Sequence, residues 1–246
     1  MIPYTSDYLL NKKIKIFQPE NGYRASTDAV FLSSLIDETI VKNGAKILDV
    51  GSGTGAISLC LASRLQYKNV EILGVDIQQD LVDLSNFSAK ENGFDKYLFY
   101  EHLDIREKSP LLGGRFDFVI TNPPYSVNDM PSPNYSKKLA HNHQNFDLES
   151  WLSFCLKTLK PKGYILLIHR AEAINEILQS LSKKAGDIRI VPFYSKEHQV
   201  AKRVAIIAQK GSKAITQILP PFYTHNEDGT YTNKAESILR MGKGYF

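Results

Sequence analysis

The chain has 246 residues, of which 43% are hydrophobic, and its formal net charge at pH 7 is +4. This length and composition fit one large α/β domain with a short extension. No apolar run is long enough to cross a membrane, the N-terminus lacks a signal-peptide pattern, and the two cysteines both fall in helical patterns. These features exclude a membrane-spanning or disulfide-stabilised protein and predict a cytoplasmic one.

The hydrophobic pattern alternates between strand and helix periods along most of the chain. After an N-terminal arm at residues 1–22, it predicts a helix that follows capping residues 26–28 and ends at Gly44. Strands are predicted at residues 45–50, 71–77, 97–104, 116–121 and 164–170. Helices are predicted at residues 55–65, 79–92, 146–159 and 171–184. This alternation indicates a parallel, doubly wound sheet.

The last two strand patterns, at residues 187–195 and 203–210, are joined by a short connection. No crossover helix fits there, so these strands should pair antiparallel. The predicted fold class is therefore α/β and Rossmann-like, with a mostly parallel seven-stranded sheet and an antiparallel strand near one edge. We divide the chain into an arm and helix at residues 1–43, a main domain at 44–211 and a C-terminal extension at 212–246.

Residues 49–55 (DVGSGTG) place three glycines between a predicted strand and a predicted helix. Glycines let the backbone turn sharply and approach a ligand, and the helix N-terminus behind them favours polar or negative groups. The next strand ends in Asp76, about 20 residues after the last glycine, a spacing at which a strand-end carboxylate binds ribose hydroxyls. Together they indicate a cofactor that contains a nucleoside; the alternative is a tight turn with an unrelated acid.

The spacing G-x-G-x-G, with Asp49 before it, differs from the G-x-G-x-x-G of dinucleotide-binding folds. A carboxylate here suits a ligand with an ammonium group better than a pyrophosphate. The segment resembles motif I of class I S-adenosylmethionine-dependent methyltransferases. The resemblance implies S-adenosyl-L-methionine as cofactor, with Asp104 beside its adenine ring, although position alone equally favours a turn cap for Asp104. The implied cofactor-binding residues are Gln18, Asp49, Gly51, Ser52, Gly53, Thr54, Gly55, Asp76, Ile77, Asp104, Ile105 and Asn122.

A second motif, NPPY at residues 122–125, directly follows the predicted strand 116–121. A proline pair gives a sheet no N–H donors, so the chain must leave the sheet at its carboxyl edge, where open α/β sheets bind ligands. The motif resembles that of methyltransferases acting on planar nitrogens. The resemblance implies that the Asn122 side-chain oxygen and the Pro123 carbonyl accept the N–H bonds of the amine, while Tyr125 stacks on the base. The candidate catalytic residues are Asn122, Pro123, Pro124 and Tyr125.

Further segments carry a narrower resemblance. They are FQPENGYR at residues 17–24, TDAVFL at 27–32, GVDIQ at 74–78, LKPKG at 159–163, LPPF at 219–222 and GTYT at 229–232. Over residues 14 to 235 the chain resembles bacterial tRNA (adenine-N6)-methyltransferases that modify position 37 of a valine tRNA, which implies tRNA as partner and no metal. The implied substrate-binding residues are Lys137, Lys138, His141, Lys202 and Arg203. One departure is Ala140-His141-Asn142, where the family commonly has Arg-His-Glu; the nearby lysines are the candidate substitutes.

Three other functions stay open at this point. Release-factor glutamine methyltransferases use the same tetrapeptide, but they carry a helical domain before the cofactor loop, and only 48 residues precede Asp49. A guanine-N2 RNA methyltransferase is closer. An RNA-binding module without catalysis is a different class, and the intact Asp49, Asp76, Asn122 and Tyr125 argue against it. The polar segment 126–145 is interpreted either as a lid over the target base or as a flexible surface loop, and no oligomeric state is predicted.

Overall fold

The N-terminal arm is a β-hairpin that packs on the main fold. The computed structural model describes residues 2–22, 24–107, 112–125 and 147–246. Within it, β1 (Tyr4–Leu9) pairs antiparallel with β2 (Ile14–Pro19). β2 is largely buried against helix α3 (Gln79–Glu91), where the Ser88 hydroxyl oxygen accepts the N–H of Phe17 at 3.0 Å. The hairpin therefore belongs to the folded core.

A mixed sheet forms the centre of the described structure. Its longer strands are β3 (Lys46–Val50), β4 (Glu71–Asp76), β5 (Leu98–His102), β6 (Phe116–Thr121), β7 (Leu159–Arg170), β8 (Ala185–Tyr194) and β9 (Arg203–Lys210). Two short strands, β10 (Gln217–Ile218) and β11 (Phe222–Tyr223), both pair with β8. The order is β10-β8-β9-β7-β6-β3-β4-β5. β3 to β7 pair parallel and β9 runs antiparallel to both neighbours, which confirms the predicted fold class.

Helices cover both faces of the sheet. They are α1 (Thr27–Ser34), α2 (Ala56–Leu65), α3, α4 (Leu148–Thr158), α5 (Ile174–Ser182) and α6 (Asn233–Met241). α1, α2, α3 and α6 contribute to one hydrophobic core, and α4 and α5 contribute to the other. Successive strand residues face opposite sides, so Ile47 lies in the first core and its neighbour Leu48 in the second.

Two helices have boundaries that differ from those predicted from the sequence. α1 ends at Ser34, so the predicted end at Gly44 is wrong. Beyond it, Asp37 Oδ1 accepts hydrogen bonds from the backbone N–H and the hydroxyl of Thr39, at 2.8 and 2.7 Å, and this local turn competes with helical continuation. The helix predicted at residues 146–159 is α4, with Asp147 accepting the N–H of Ser150 as its cap; residue 146 lies outside the described ranges.

The ends of the parallel strands align at one edge of the sheet. Val50, the last residue of β3, pairs with Val75 of β4 on one side and with Thr121 of β6 on the other. The glycine loop, the end of β4 and the NPPY motif therefore leave the sheet next to one another. This is the carboxyl edge at which open α/β sheets bind ligands.

The antiparallel strand brings later segments to the same edge. Arg203 begins β9 and lies opposite Arg170, the last residue of β7. Phe193, near the end of β8, also pairs with Arg203, and Phe222 of β11 pairs with Phe193. The C-terminal segment after β11 consequently emerges beside the carboxyl ends of β7 and β8.

The division at residues 43 and 211 stays a prediction. β10 and β11 hydrogen-bond to β8, so the segment after residue 211 extends the central sheet. None of the helices in the described ranges has the length and hydropathy that a membrane span requires.

Candidate active site

The glycine loop is held in a conformation that requires glycine. Gly51 and Gly55 have φ values of 70° and 82°, in the left-handed region. A Cβ on Gly51 would lie 2.8 Å from the indole ring of Trp151, and one on Gly55 would overlap the hydroxyl of Tyr100. Both conformation and space therefore exclude side chains here, and the backbone of the loop stays open to a ligand.

Asp76 connects the end of β4 to this loop. Its Oδ2 accepts the N–H of Gly53 at 2.8 Å, and its Oδ1 accepts the N–H of Gln78 at 2.9 Å. The side chain is buried, and this burial raises the pKa of the carboxyl above its usual value. A carboxylate has about four lone-pair positions, so Asp76 keeps acceptor capacity for hydroxyl groups of a ligand.

Asp49 lies fully buried beneath the loop. Desolvation raises the pKa of its carboxyl to about 7, although the hydroxyl of Ser58 donates a hydrogen bond to Oδ2. Its Oδ1 has no hydrogen-bond partner among the described residues, and neither do the hydroxyls of Ser52 and Thr54 in the same loop. Buried polar atoms are rarely left unpaired in folded proteins. These three orphaned atoms fit a bound polar group, and the Asp49 carboxylate fits a cationic one.

Two predicted cofactor contacts have partners within the chain. Both carboxylate oxygens of Asp104 accept from the Arg106 guanidinium, with Nε at 2.7 and 2.9 Å, and Oδ1 also accepts the Arg106 backbone N–H at 3.0 Å. Asp104 thus caps a turn here, as the alternative predicted. Gln18 accepts the N–H of Ala25 at 2.7 Å and donates to Asp7 at 3.0 Å. Their contact with a cofactor stays a prediction.

Thr121 joins the NPPY motif to the glycine loop. Its hydroxyl donates to the carbonyl of Val50 at 2.8 Å and accepts the indole N–H of Trp151 at 2.9 Å. Trp151 is also the ring that lies against Gly51. The chain segments that begin at residues 51 and 122 are therefore fixed relative to each other at the ends of β3 and β6.

The hydroxyl of Tyr125 takes part in a hydrogen-bonded network. It donates to Asp28 Oδ2 at 2.9 Å, and its oxygen lies 3.2 Å from Asn122 Oδ1. Arg203 Nε donates to the same Asp28 oxygen at 2.9 Å. Burial and the neighbouring Asp28 carboxylate raise the pKa of Tyr125, so the phenol is neutral at physiological pH. The network fixes the side chain of Tyr125 beside Asn122.

The ring of Tyr125 is already in contact with charged and aromatic side chains. The guanidinium carbons of Arg170 and Arg203 lie 5.1 and 4.8 Å from its centroid, within the range of a cation–π interaction. The ring of His169 meets it edge to face with 4.9 Å between centroids. Burial lowers the pKa of His169, and its Nδ1 has no partner in the described part of the chain. A base that stacks on Tyr125 has to share the ring with these groups.

The structure brings most, but not all, of the predicted residues together. Arg203 lies in the network of Tyr125, whereas Lys202 is exposed beside it; their contacts with a substrate stay predictions. Lys137, Lys138 and His141 lie outside the described residues. Sequence reasoning treated Asp28 as a helix cap and assigned nothing to His169 and Arg170. The TDAVFL segment was the one signal that pointed to Asp28. The described residues contain no cluster of three or more potential metal ligands.

Comparison with solved structures supports the fold. A predicted O-methyltransferase from Agrobacterium tumefaciens superposes with a TM-score of 0.73 at 21% identity, covering 89% of this chain and 98% of that one. An S-adenosylmethionine-dependent O-methyltransferase from Thermotoga maritima gives a TM-score of 0.55 at 16% identity, covering 78% and 67%. At these identities the similarity establishes the class I fold alone.

Comparison of sequences identifies the family. A protein of Dyadobacter fermentans named tRNA1(Val) (adenine(37)-N6)-methyltransferase is 25% identical, over 93% of this chain and 94% of its own length. A protein of Pedobacter heparinus with the same name is 27% identical, with the same coverage. The sequence model described as a methyltransferase domain matches residues 41–222, which is most of the chain. The chain therefore belongs to the methyltransferase domain family.

Proposed function

We propose that the protein transfers a methyl group from S-adenosyl-L-methionine to the exocyclic N6 of an adenine in tRNA, with position 37 of a valine tRNA as the target. The observation that carries this proposal is the position of the NPPY motif at the end of β6, directly beside the glycine loop at the end of β3. The names of relatives that align over nearly the whole chain support the substrate. A tRNA substrate in turn favours a cytoplasmic location.

The cofactor would lie along the glycine loop. When bound, it supplies a methyl group activated by a sulfonium. Asp76 offers acceptors to ribose hydroxyls, and Asp49 offers its unpaired Oδ1 to an ammonium group. The same loop offers the backbone of Gly51, Gly53 and Gly55, and the backbone and hydroxyls of Ser52 and Thr54. Asp104 and Ile105 are the proposed adenine neighbours, with Ile77 at the ribose and Gln18 at the periphery.

The network of Tyr125 selects one orientation of the Asn122 amide. A phenol has a single hydrogen, and the Asp28 carboxylate is its nearer and stronger acceptor. The phenol oxygen can then only accept from Asn122. The amide satisfies this when its NH2, and not its oxygen, faces the phenol oxygen of Tyr125. Its oxygen is thereby left to accept a hydrogen bond from a substrate amine.

That orientation explains how the motif activates a poor nucleophile. The lone pair of an aryl amine is delocalised into the ring. When the two N–H groups of the amine donate hydrogen bonds to the Asn122 oxygen and the Pro123 carbonyl, the nitrogen becomes more pyramidal. Its lone pair is then directed at the methyl group. The neutral phenol of Tyr125 does not act as a base, so catalysis rests on positioning and preorganised dipoles. Once the nitrogen has formed its bond to the methyl group it is strongly acidic, and it loses one of its two hydrogens as a proton to solvent.

The test is incubation of the protein with total tRNA and labelled cofactor, followed by identification of the labelled nucleoside. We expect N6-methyladenosine, and at least a roughly 100-fold lower single-turnover rate for Asn122→Ala. The matched control is Asn43→Ala, which removes the same kind of side-chain amide from an exposed turn distant in sequence from Asn122. Label in N2-methylguanosine would contradict the proposal, and so would a parallel incubation in which a release factor, and not tRNA, becomes labelled.

A further inference from the structure

A second cleft opens beside the network of Tyr125. It has a volume of about 230 Å³ and lies between the start of α1, the β8–β9 connection and the segment after β11. Its walls include Asp28, Tyr194, Lys202, Arg203, His225 and Tyr231. Two of these, Asp28 and Arg203, also contact the Tyr125 side chain. The cleft is therefore separated from the NPPY motif by a single layer of side chains.

An aromatic pair forms one wall of this cleft. The rings of His225 and Tyr231 stack with 4.6 Å between centroids and an interplanar angle of 27°. The two residues form an antiparallel β-bridge, and the N–H of Asn226 donates to the carbonyl of Thr230 at 2.8 Å within the same turn. Thr224 Oγ1 lies 2.8 Å from His225 Nδ1, and this hydrogen bond fixes the orientation of the imidazole. The pair is a preformed, half-buried surface on which a planar group can stack.

The charged side chains that line the cleft favour an anion. Asp28 and Arg203 pair with each other, so their charges largely cancel. Lys202 is exposed and has no acidic partner in the described ranges. An aromatic platform next to an unpaired cation is the combination that binds single-stranded nucleic acid, where the base stacks and the cation neutralises the phosphate.

We propose, on the basis of the proposed function, that this cleft holds one nucleotide adjacent to the target adenosine, with its base on the His225–Tyr231 pair and its phosphate near Lys202. Pockets that bind drug-sized ligands have volumes of about 300–1,000 Å³, so an open cleft of about 230 Å³ has room for one nucleotide and not two. The shared wall of Asp28 and Arg203 places this nucleotide next to the one at Tyr125. The C-terminal segment thereby contributes to recognition of the RNA strand.

The experiment uses valine tRNA with an abasic site on one or the other side of the target adenosine. With the parent protein, one of the two abasic tRNAs should bind about tenfold more weakly than intact tRNA. His225→Ala should weaken binding of intact tRNA by a similar factor and raise KM with little change in kcat. Combined with the sensitive abasic tRNA, the variant should show no further loss, because both changes remove the same contact. Tyr67→Ala, which removes an exposed ring elsewhere, is the control.

The cleft assignment would be overturned if the losses of tRNA affinity caused by His225→Ala and by the abasic site multiplied. It would also be overturned if neither of the two abasic sites had an effect on affinity. The abasic series with the parent protein keeps the test decisive even if His225→Ala does not fold. Failure of the parent to methylate intact tRNA would instead reject the proposed function, so the two failures are distinguishable.

The phosphate contact is tested by the salt dependence of tRNA binding. Lys202→Ala should lower the slope of log affinity against log salt by about one, whereas Lys213→Ala, at the opposite edge of the sheet, should leave this slope unchanged.

Discussion

Tyr125→Phe removes one oxygen from the site and keeps the ring. That oxygen donates to Asp28 at 2.9 Å and lies 3.2 Å from the Asn122 amide. A hydrogen bond to a charged group contributes about 1.5–3 kcal/mol, equivalent to a roughly 10- to 150-fold change in rate when it serves to orient a reacting group. This is an upper range, because part of the Asn122 orientation survives through its backbone. We expect the single-turnover rate to fall about 10- to 50-fold.

The affinities for tRNA and cofactor should change little in this variant, because the contacts of the ring with Arg170, Arg203 and His169 remain. Single-turnover rates at saturating tRNA and cofactor, together with dissociation constants for both, measure the two effects separately. Tyr67→Phe is the matched control, since it removes an exposed hydroxyl that bonds to Glu38. A Tyr125→Phe rate equal to that of the parent would refute the positioning argument. A large loss of tRNA affinity at unchanged rate would refute it as well.

Three further predictions address the cofactor and the RNA. Asp76→Ala should weaken S-adenosylmethionine binding by roughly 1.5–3 kcal/mol, measured by calorimetry, and tighter binding of NAD than of S-adenosylhomocysteine would contradict the cofactor assignment. Burial raises the pKa of Asp49 to about 7, and an ammonium group on the cofactor favours the ionised carboxylate. Cofactor affinity should therefore fall as the pH drops below about 7. Asp49→Asn should bind the cofactor weakly, and its affinity should depend less on pH. Lys202→Glu should weaken tRNA binding and flatten its salt dependence, whereas Arg203→Glu should mainly reduce turnover because it unpairs Asp28; salt-independent binding by the parent would argue against an RNA substrate.

Alternation of strand and helix periods was sufficient to predict the central sheet. Each parallel strand is followed by a segment that carries helical periodicity or a turn signal, so the βαβ pattern could be recognised from local sequence. The short connection at residues 196–202 was equally informative, because antiparallel pairing is the only arrangement that so few residues allow. The N-terminal hairpin was missed, since its turn at Leu10, Asn11 and Lys12 uses left-handed conformations without a glycine.

The two motifs were predictable for a different reason. Each depends on residues close in sequence, and the parallel pairing of β3 with both β4 and β6 places their ends together without further information. The network of Tyr125, in contrast, joins residues that are far apart in sequence. Asp28 and Tyr125 are 97 positions apart, and Asp28 and Arg203 are 175 apart. Local patterns carry no information about such pairs, so Asp28 was interpreted from its neighbours as a helix cap.

The position of Arg203 follows from the direction of one strand. If β9 ran parallel to β7, its first residue would lie at the amino edge of the sheet, far from Tyr125. Because β9 is antiparallel, Arg203 lies opposite Arg170 at the carboxyl edge, where Asp28 is available as a partner. The guanidinium then neutralises a carboxylate and contacts the Tyr125 ring, so its charge is already used inside the protein. A net charge of +4 therefore does not locate an RNA surface. Of the two adjacent basic residues, Arg203 is paired with Asp28 and Lys202 is not, so we expect Lys202 to contribute more of the charge that neutralises phosphate.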